Sequence, residues 1–345
     1  MSGTSLDGLD LAWCRFQYDG EWSYSIRESV CIPYDENWRS ALATAHLSDK
    51  DPLCRLDVEF GEFIAQQVTG FLHTAKLPAP DLVCSHGHTV FHDPAQKLTL
   101  QIGSGERIAE KTGIKCVSDF RSLDVSLGGQ GAPLVPIGDE LLFGQYDACL
   151  NLGGFSNISF RENGVRIAFD ICPVNICLNE LSARLGRPYD AEGDLARSGS
   201  IDRHLLQRLN ELPIYRDPTH PSLSREWSER EFLPLVNDAV AQPTDLLATL
   251  TEHAAVRIGQ VLKEVMGTGT VLATGGGIHN TFLMERIGRH SDAGIIVPEN
   301  ELADFKEALV FAFLGVLRFH DRINVLSSVT GARRDSSSGV LHSVL

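Results

Sequence analysis

Two stretches of this 345-residue sequence put a turn of glycines and hydroxyls on an apolar, strand-like run. GTSLDG, residues 3–8, leads directly into LDLAWCRF, and LGGFSN, residues 152–157, joins DACLN to ISF. Glycines let the backbone approach a ligand or another strand closely, and neighbouring amides suit an oxyanion. The same letters also suit an ordinary tight hairpin. Around each turn strand and helix patterns alternate. Leu53, Leu56, Phe60, Phe63, Ile64, Val68 and Phe71 recur at helical spacing, and the short apolar runs DLVCSH, LTLQIG and IKCVSDF follow. After the second turn comes a meander ending at Asp170, helical patterns over 173–185, 201–212 and 245–266, the strand TVLATGGG, and a helix over 305–319. The repetition predicts an α/β chain of two similar halves, one domain over 1–145 and another over 146–345. Residues 213–243 carry five prolines and several charges and read as a long surface excursion.

Composition narrows the function classes. A formal net charge of −15 argues against a nucleic-acid partner, since phosphate backbones select for Lys and Arg. It leaves a nucleotide open, because a local nest of N–H groups and a cation suffice. No apolar run approaches the roughly 18 residues that span a bilayer, so no membrane partner is expected. The amino terminus lacks the blocks of a secretory signal. The eight cysteines stand singly, without a CxxC pair, which suits reduced thiols and a cytoplasmic site.

Four stretches could carry chemistry. In GTSLDGLD the amides and hydroxyls of Gly3, Thr4 and Ser5 would hold terminal phosphates, with Asp7 or Asp10 near Mg²⁺ through water. No Lys follows, so this is not a Walker A loop. ATGGGIHN, residues 273–280, runs a buried strand into three glycines and a helix, which places backbone beside a flat ligand. SHGHTVFHD offers His86, His88 and His92, but a cleft-lining strand end explains them without zinc. In FDICPVN, Asp170 ends an apolar strand. It could act as a general base or cap the helix that begins near Pro173.

Two α/β halves that each offer a hairpin to a central cleft resemble the actin/hexokinase-like phosphotransferases, whose halves are ribonuclease H-like. Across nearly its whole length the sequence also resembles one family, the anhydro-N-acetylmuramic acid kinases of bacterial cell-wall recycling. The resemblance rests on MSGTSLDGLD, SHGHTVFHDP, LTLQIG, DFRSLDVSLGGQGAPLVP, NLGGFSNISF, FD-x-x-P-x-N, YDAEGDLARSG, ATGGGIHN, EALVFAFLG and NVLSSVTGA. It implies that Gly3, Thr4, Ser5, Leu6, Asp7, Gly8, Leu9 and Asp10 hold ATP phosphates, with Mg²⁺ reached from Asp7 through water. By the same resemblance Gly153, Gly154 and Asn157 form a second phosphate hairpin, and Gly275, Gly276 and Gly277 lie on the adenosine side. Asp170 becomes the catalytic base, and His86, Arg121 and Glu307 contact the sugar. The implied substrates are ATP and 1,6-anhydro-N-acetylmuramic acid, and the implied assembly is a homodimer.

Three departures from the family pattern stand out. Ile171, Cys172, Pro173 and Val174 follow the base where a glycine-containing Thr-Gly-Pro-Gly-like stretch is usual. His88 replaces the common Gln, and the sequence starts at the Met of Met-Ser-Gly-Thr-Ser where members usually carry several apolar residues before it. The first departure leaves open a kinase of the same fold acting on another sugar. The first and third together leave open a nucleotide-binding sensor without turnover.

Overall fold

The computed structural model describes residues 1–3, 6–217 and 222–344, with backbone alone at residue 300. The chain forms two compact units, Met1–Leu142 with Phe305–Leu345, and Phe143–Asp304. Residues 305–345, grouped with the second domain in the sequence reading, therefore pack in the first unit. The reason is long-range: strand Val340–His342 pairs with Cys116–Ser118, and the Ser338 hydroxyl donates to the Phe120 carbonyl at 2.7 Å.

In the first unit β1 (Gly8–Asp19) and β2 (Glu21–Pro33) form an antiparallel hairpin around Gly20. Among the described residues the short β3 (Val83–Cys84) pairs only with β6 (Cys116–Ser118), while β4 (His88–Asp93) and β5 (Leu98–Ile102) form a second hairpin. The helix Lys50–Thr74 buries the periodic face expected of it, including Leu53, Phe60, Ile64 and Val68. With Leu9, Tyr34, Leu42 and Ile102 these side chains build the core under the first hairpin.

Between β1 and β3 lies a groove of about 600 Å³. Leu11, Trp13 and Phe16 line it from β1, Val68 and Phe71 from the long helix, and Phe311 and Val316 from the helix Asn300–Phe319. Among the described residues the edge of β1 away from β2 is engaged only near its start, where Ser2 bridges Leu9 and the Asp10 amide donates to the Met1 carbonyl at 2.9 Å. This groove separates the strands of the first unit into two-, three- and two-stranded sheets.

The second unit is built on one five-stranded sheet. Its strands are β7 (Ala148–Leu152), β8 (Phe155–Glu162), β9 (Val165–Pro173), β10 (Thr270–Thr274) and β11 (Gly294–Ile296). The first three form the expected antiparallel meander, and β10 and β11 add parallel to β7, giving the order β11-β10-β7-β8-β9. Counted within the unit this is 3-2-1-4-5 with only the second strand reversed, the ribonuclease H-like sheet that the fold class requires. The helix Pro243–Val265 is buried along most of its length and packs against β9 and the helix Thr281–His290.

The groove yields a prediction. A chain carrying four or five apolar residues ahead of Met1 would continue the Met1–Asp10 pairing along Leu11 to Trp13. Thermal denaturation is expected to show a higher Tm, by about 2–4 °C for each kcal/mol gained. An unchanged Tm would mean the groove does not accept a strand.

Candidate active site

Three residues singled out for sugar contact belong to the first unit, and two of them touch directly. Arg121 donates from Nε and Nη2 to His86 Nε2, at 3.0 and 2.9 Å. His86 Nδ1 donates to the Gly87 carbonyl at 3.0 Å, which fixes the neutral Nδ1–H tautomer. Burial, and then the Arg121 charge, hold its pKa well below the ordinary imidazole value. The ring also packs edge-on against Phe311, with centroids 4.7 Å apart. Glu307 is reached by solvent yet flanked by protein on most sides. Desolvation pushes its carboxyl up, with Arg121 opposing and Asp10 adding to the rise.

What holds Arg121 in place is a residue the motif reading did not single out. Asp124 is fully buried and accepts from the Gly131 amide at 2.7 Å through Oδ2 and from the Thr330 hydroxyl at 2.7 Å through Oδ1. A Cβ at Gly129 would lie 2.2 Å from Asp124 Oδ2, so the loop closes over the carboxylate only with glycine there. The Gly131 carbonyl then accepts from Arg121 Nη1 at 2.6 Å. A nearby ion pair, Lys306 to Asp139 at 2.7 Å, joins the helix Asn300–Phe319 to the helix Pro136–Leu142 one residue before Glu307. The signal for Asp124 was present in DFRSLDVSLGGQGAP, but its partner Thr330 lies 206 positions away.

In the second unit two turns meet at the carboxyl ends of β7 and β10, where ligands of parallel sheets bind. A Cβ at Gly277 would meet Leu152 Cβ at 2.7 Å, and one at Gly275 would meet Asn151 Oδ1 at 2.5 Å. These two glycines are needed for close packing. Gly154 and Gly276 are exposed, and an added Cβ would find nothing nearer than 3.8 Å and 4.0 Å. The protein alone gives no packing reason for glycine at either, which leaves backbone open to a ligand.

One rung of the sheet carries the polar residues. Thr274 pairs with Asn151, Asn151 with Asn157, and Asn157 with Asp170, so the four share one face across four strands. Asp170 Oδ2 accepts from the Leu223 amide at 2.9 Å. Among the described residues Oδ1 has no hydrogen-bond partner. Desolvation raises the Asp170 carboxyl above its ordinary value, and the Leu223 amide opposes that rise. A cavity of about 210 Å³ opens beside it, lined also by Tyr215, Arg257 and Glu264. The helix Asn175–Ala183 takes no side-chain cap from Val174, the residue at its start, and Asp170 bonds elsewhere, so the capping role does not hold.

A sequence model of the anhydro-N-acetylmuramic acid kinases matches residues 1–343. The chain belongs to that family. Relatives bearing the name anhydro-N-acetylmuramic acid kinase include the protein of Aliivibrio fischeri, 35% identical over 360 residues, covering 99% of this chain and 97% of the relative. Those of Saccharophagus degradans (34% over 363 residues) and Mannheimia succiniciproducens (33% over 366 residues) share the same coverage, 99% and 97%.

The family motifs thus fall into two groups, each within its own unit. Gly3, Leu6, Asp7, Gly8, Leu9, Asp10, His86, Arg121 and Glu307 lie in the first, and Gly153, Gly154, Asn157, Asp170 and Gly275 to Gly277 in the second. Thr4 and Ser5 lie outside the described residues. Gly8 and Leu9 are buried in strand pairing, and Asp7 is exposed at the turn. The unusual Ile171-Cys172-Pro173-Val174 stretch is buried throughout. A bulge at Ser156/Asn157 lets Ile171 and Cys172 enter the core in succession, and Ser156 Oγ donates to the Cys172 carbonyl at 3.2 Å.

The histidines are committed to different partners. His88 Nδ1 accepts from Ser2 Oγ at 3.0 Å, Ser2 itself accepting from Tyr34 at 2.7 Å, and His92 meets Thr99 at 3.1 Å. No group of three metal-binding side chains occurs among the described residues. Exhaustive chelation is expected to leave the Tm unchanged; stoichiometric zinc with unfolding on chelation would contradict this. Asp124→Ala removes a buried carboxylate that accepts two hydrogen bonds and is expected to cost about 3 kcal/mol in urea denaturation. A loss below about 0.5 kcal/mol would show that the loop holds itself.

Proposed function

We propose that this protein is an ATP-dependent kinase acting on 1,6-anhydro-N-acetylmuramic acid in murein recycling. Water adds at the anomeric carbon, the bond from that carbon to O6 breaks, and O6 takes the γ-phosphoryl group of ATP. The products are N-acetylmuramic acid 6-phosphate and ADP, and the proton lost by water passes to Asp170. Family membership supports the reaction. The observation that carries the assignment of the base is Asp170, anchored by one oxygen, without a partner at the other among the described residues, and facing a cavity.

Its raised pKa fits that role, since a carboxylate of higher pKa takes a proton from water more readily. Asn157 and Asn151, on the same rung, offer amides along the path from the base to the open turns. Gly153, Gly154 and Gly276 would present backbone to ATP phosphates and adenosine, and the first turn, Gly3 to Asp10, would hold the terminal phosphates. Mg²⁺, when bound, offsets phosphate charge and accepts one carboxylate through retained water, which suits the exposed Asp7. Arg121, His86 and Glu307 would hold the sugar. Neutral His86 keeps Arg121 aimed while adding no charge of its own. Because Ile171 to Val174 sit in the core, their exchange carries no argument for a different sugar. A cytoplasmic homodimer belongs to the same reading, resting on the family alone.

Incubation with ATP, Mg²⁺ and the anhydro sugar should yield ADP and phosphosugar in equal amounts. Asp170→Asn preserves an acceptor for the Leu223 amide but removes the base. It is expected to lower kcat by at least about 10²-fold, with Tm and ATP affinity unchanged. Near-parental turnover by this variant would end the assignment.

A further inference from the structure

We infer that the Leu223 main-chain amide is a positioning group for the reaction: it anchors Asp170 Oδ2 so that Oδ1 is the atom that accepts the proton of the attacking water. The inference rests on the reading of Asp170 as the base. It assigns a role to the proline-rich excursion, which the family motifs leave out.

The contact joins residues 53 positions apart, at 2.9 Å, in a half-buried place. A carboxylate swings readily about its terminal torsion unless one oxygen is fixed. With Oδ2 held, Oδ1 has a defined direction and keeps its lone pairs, since no described residue bonds to it. The donor is itself secured. Ser224 Oγ accepts from the Trp227 amide at 3.1 Å, and the Ser228 hydroxyl meets Cys177 Sγ at 3.5 Å, on the helix Asn175–Ala183 that follows the base. Trp227 also packs near Phe232, with centroids 6.2 Å apart. The excursion is therefore tied to the same core as β9 on the chain side that follows Leu223.

The amide also tunes the base. It stabilises the charged carboxylate and so works against desolvation, keeping more of Asp170 ionised at a given pH. The other charged or titratable groups lining the cavity are Arg257 and Glu264 from the helix Pro243–Val265, and Tyr215 from the turn Pro213–Arg216. Tyr215 is held to His253 at 3.0 Å, and the Arg257 guanidinium stacks on its ring at 4.3 Å. Desolvation raises the Asp170 carboxyl and the Leu223 amide opposes that rise, so removing the amide should register directly.

The test is the pH dependence of kcat/KM for the anhydro sugar. Leu223→Pro deletes the donor, and Leu223→Ala keeps it. Losing the amide raises the Asp170 pKa, and the base works only when ionised, so the acid limb should move to higher pH by on the order of one unit. The Ala variant should keep the parental limb. If Leu223→Pro fails to fold, an ester in place of the 223 amide, introduced with the α-hydroxy analogue of leucine, deletes the N–H with the side chain intact. A folded Pro or ester variant with the parental limb, alongside an inactive Asp170→Asn, overturns the inference and leaves the base in place. An active Asp170→Asn overturns the base itself.

Discussion

The parallel pairing of β7 with β10 is the constraint from which the second unit's chemistry follows. Register Thr274 to Asn151 brings the ends of two strands level, so the turn at Gly153-Gly154 and the triplet Gly275 to Gly277 emerge side by side. The meander carries the same rung on through Asn157 to Asp170. A slip of one residue would turn Asn157 and Asp170 to the opposite face and bury a charge among Leu150, Ile158 and their neighbours. That cost fixes the register without any help from a ligand.

The first unit solves a different problem, keeping a guanidinium aimed while it is largely removed from water. Arg121 is bonded on both flanks, to a neutral histidine and to a carbonyl that a buried carboxylate holds in place. Desolvation lowers its pKa and the Glu307 charge restores part of it, and among the described residues the two form no direct ion pair. An unclosed pair of this kind leaves both groups able to bond a polyhydroxylated ligand, whereas a closed salt bridge would spend them on each other.

Much of this was legible in the sequence where the information is local. The glycine turns, the amphipathic helix with Phe60 and Ile64 and the meander all follow from short-range pattern, whereas β9 runs on past Asp170 to Pro173, so Asp170 lies within the strand and does not end it as expected. What stayed hidden depends on partners far along the chain. Asp124 looks like any loop acid until Thr330 is seen beside it, and Asp170 could pass for a helix cap until the Leu223 amide is found on its oxygen. The return of residues 305–345 to the first unit has no local signal either, because a strand of three residues is specified by its partner, Cys116 to Ser118.

The Ile171 to Val174 stretch, a departure from the family pattern, is committed to the core. Glycines after a base can serve either to admit a ligand or to turn the chain, and the two roles tolerate different replacements. Here a bulge makes the turn, so the side chains that replaced glycine point into apolar surroundings; Cys172 and Val174 are fully or almost fully buried. Burial of these two groups favours the present conformation by more than glycine would, since glycine contributes no apolar area and loses more backbone entropy on folding. The exchange therefore stiffens the connection that carries Asp170. A stiffer connection has less room to adjust the base, which makes an external anchor on its carboxylate the more consequential contact.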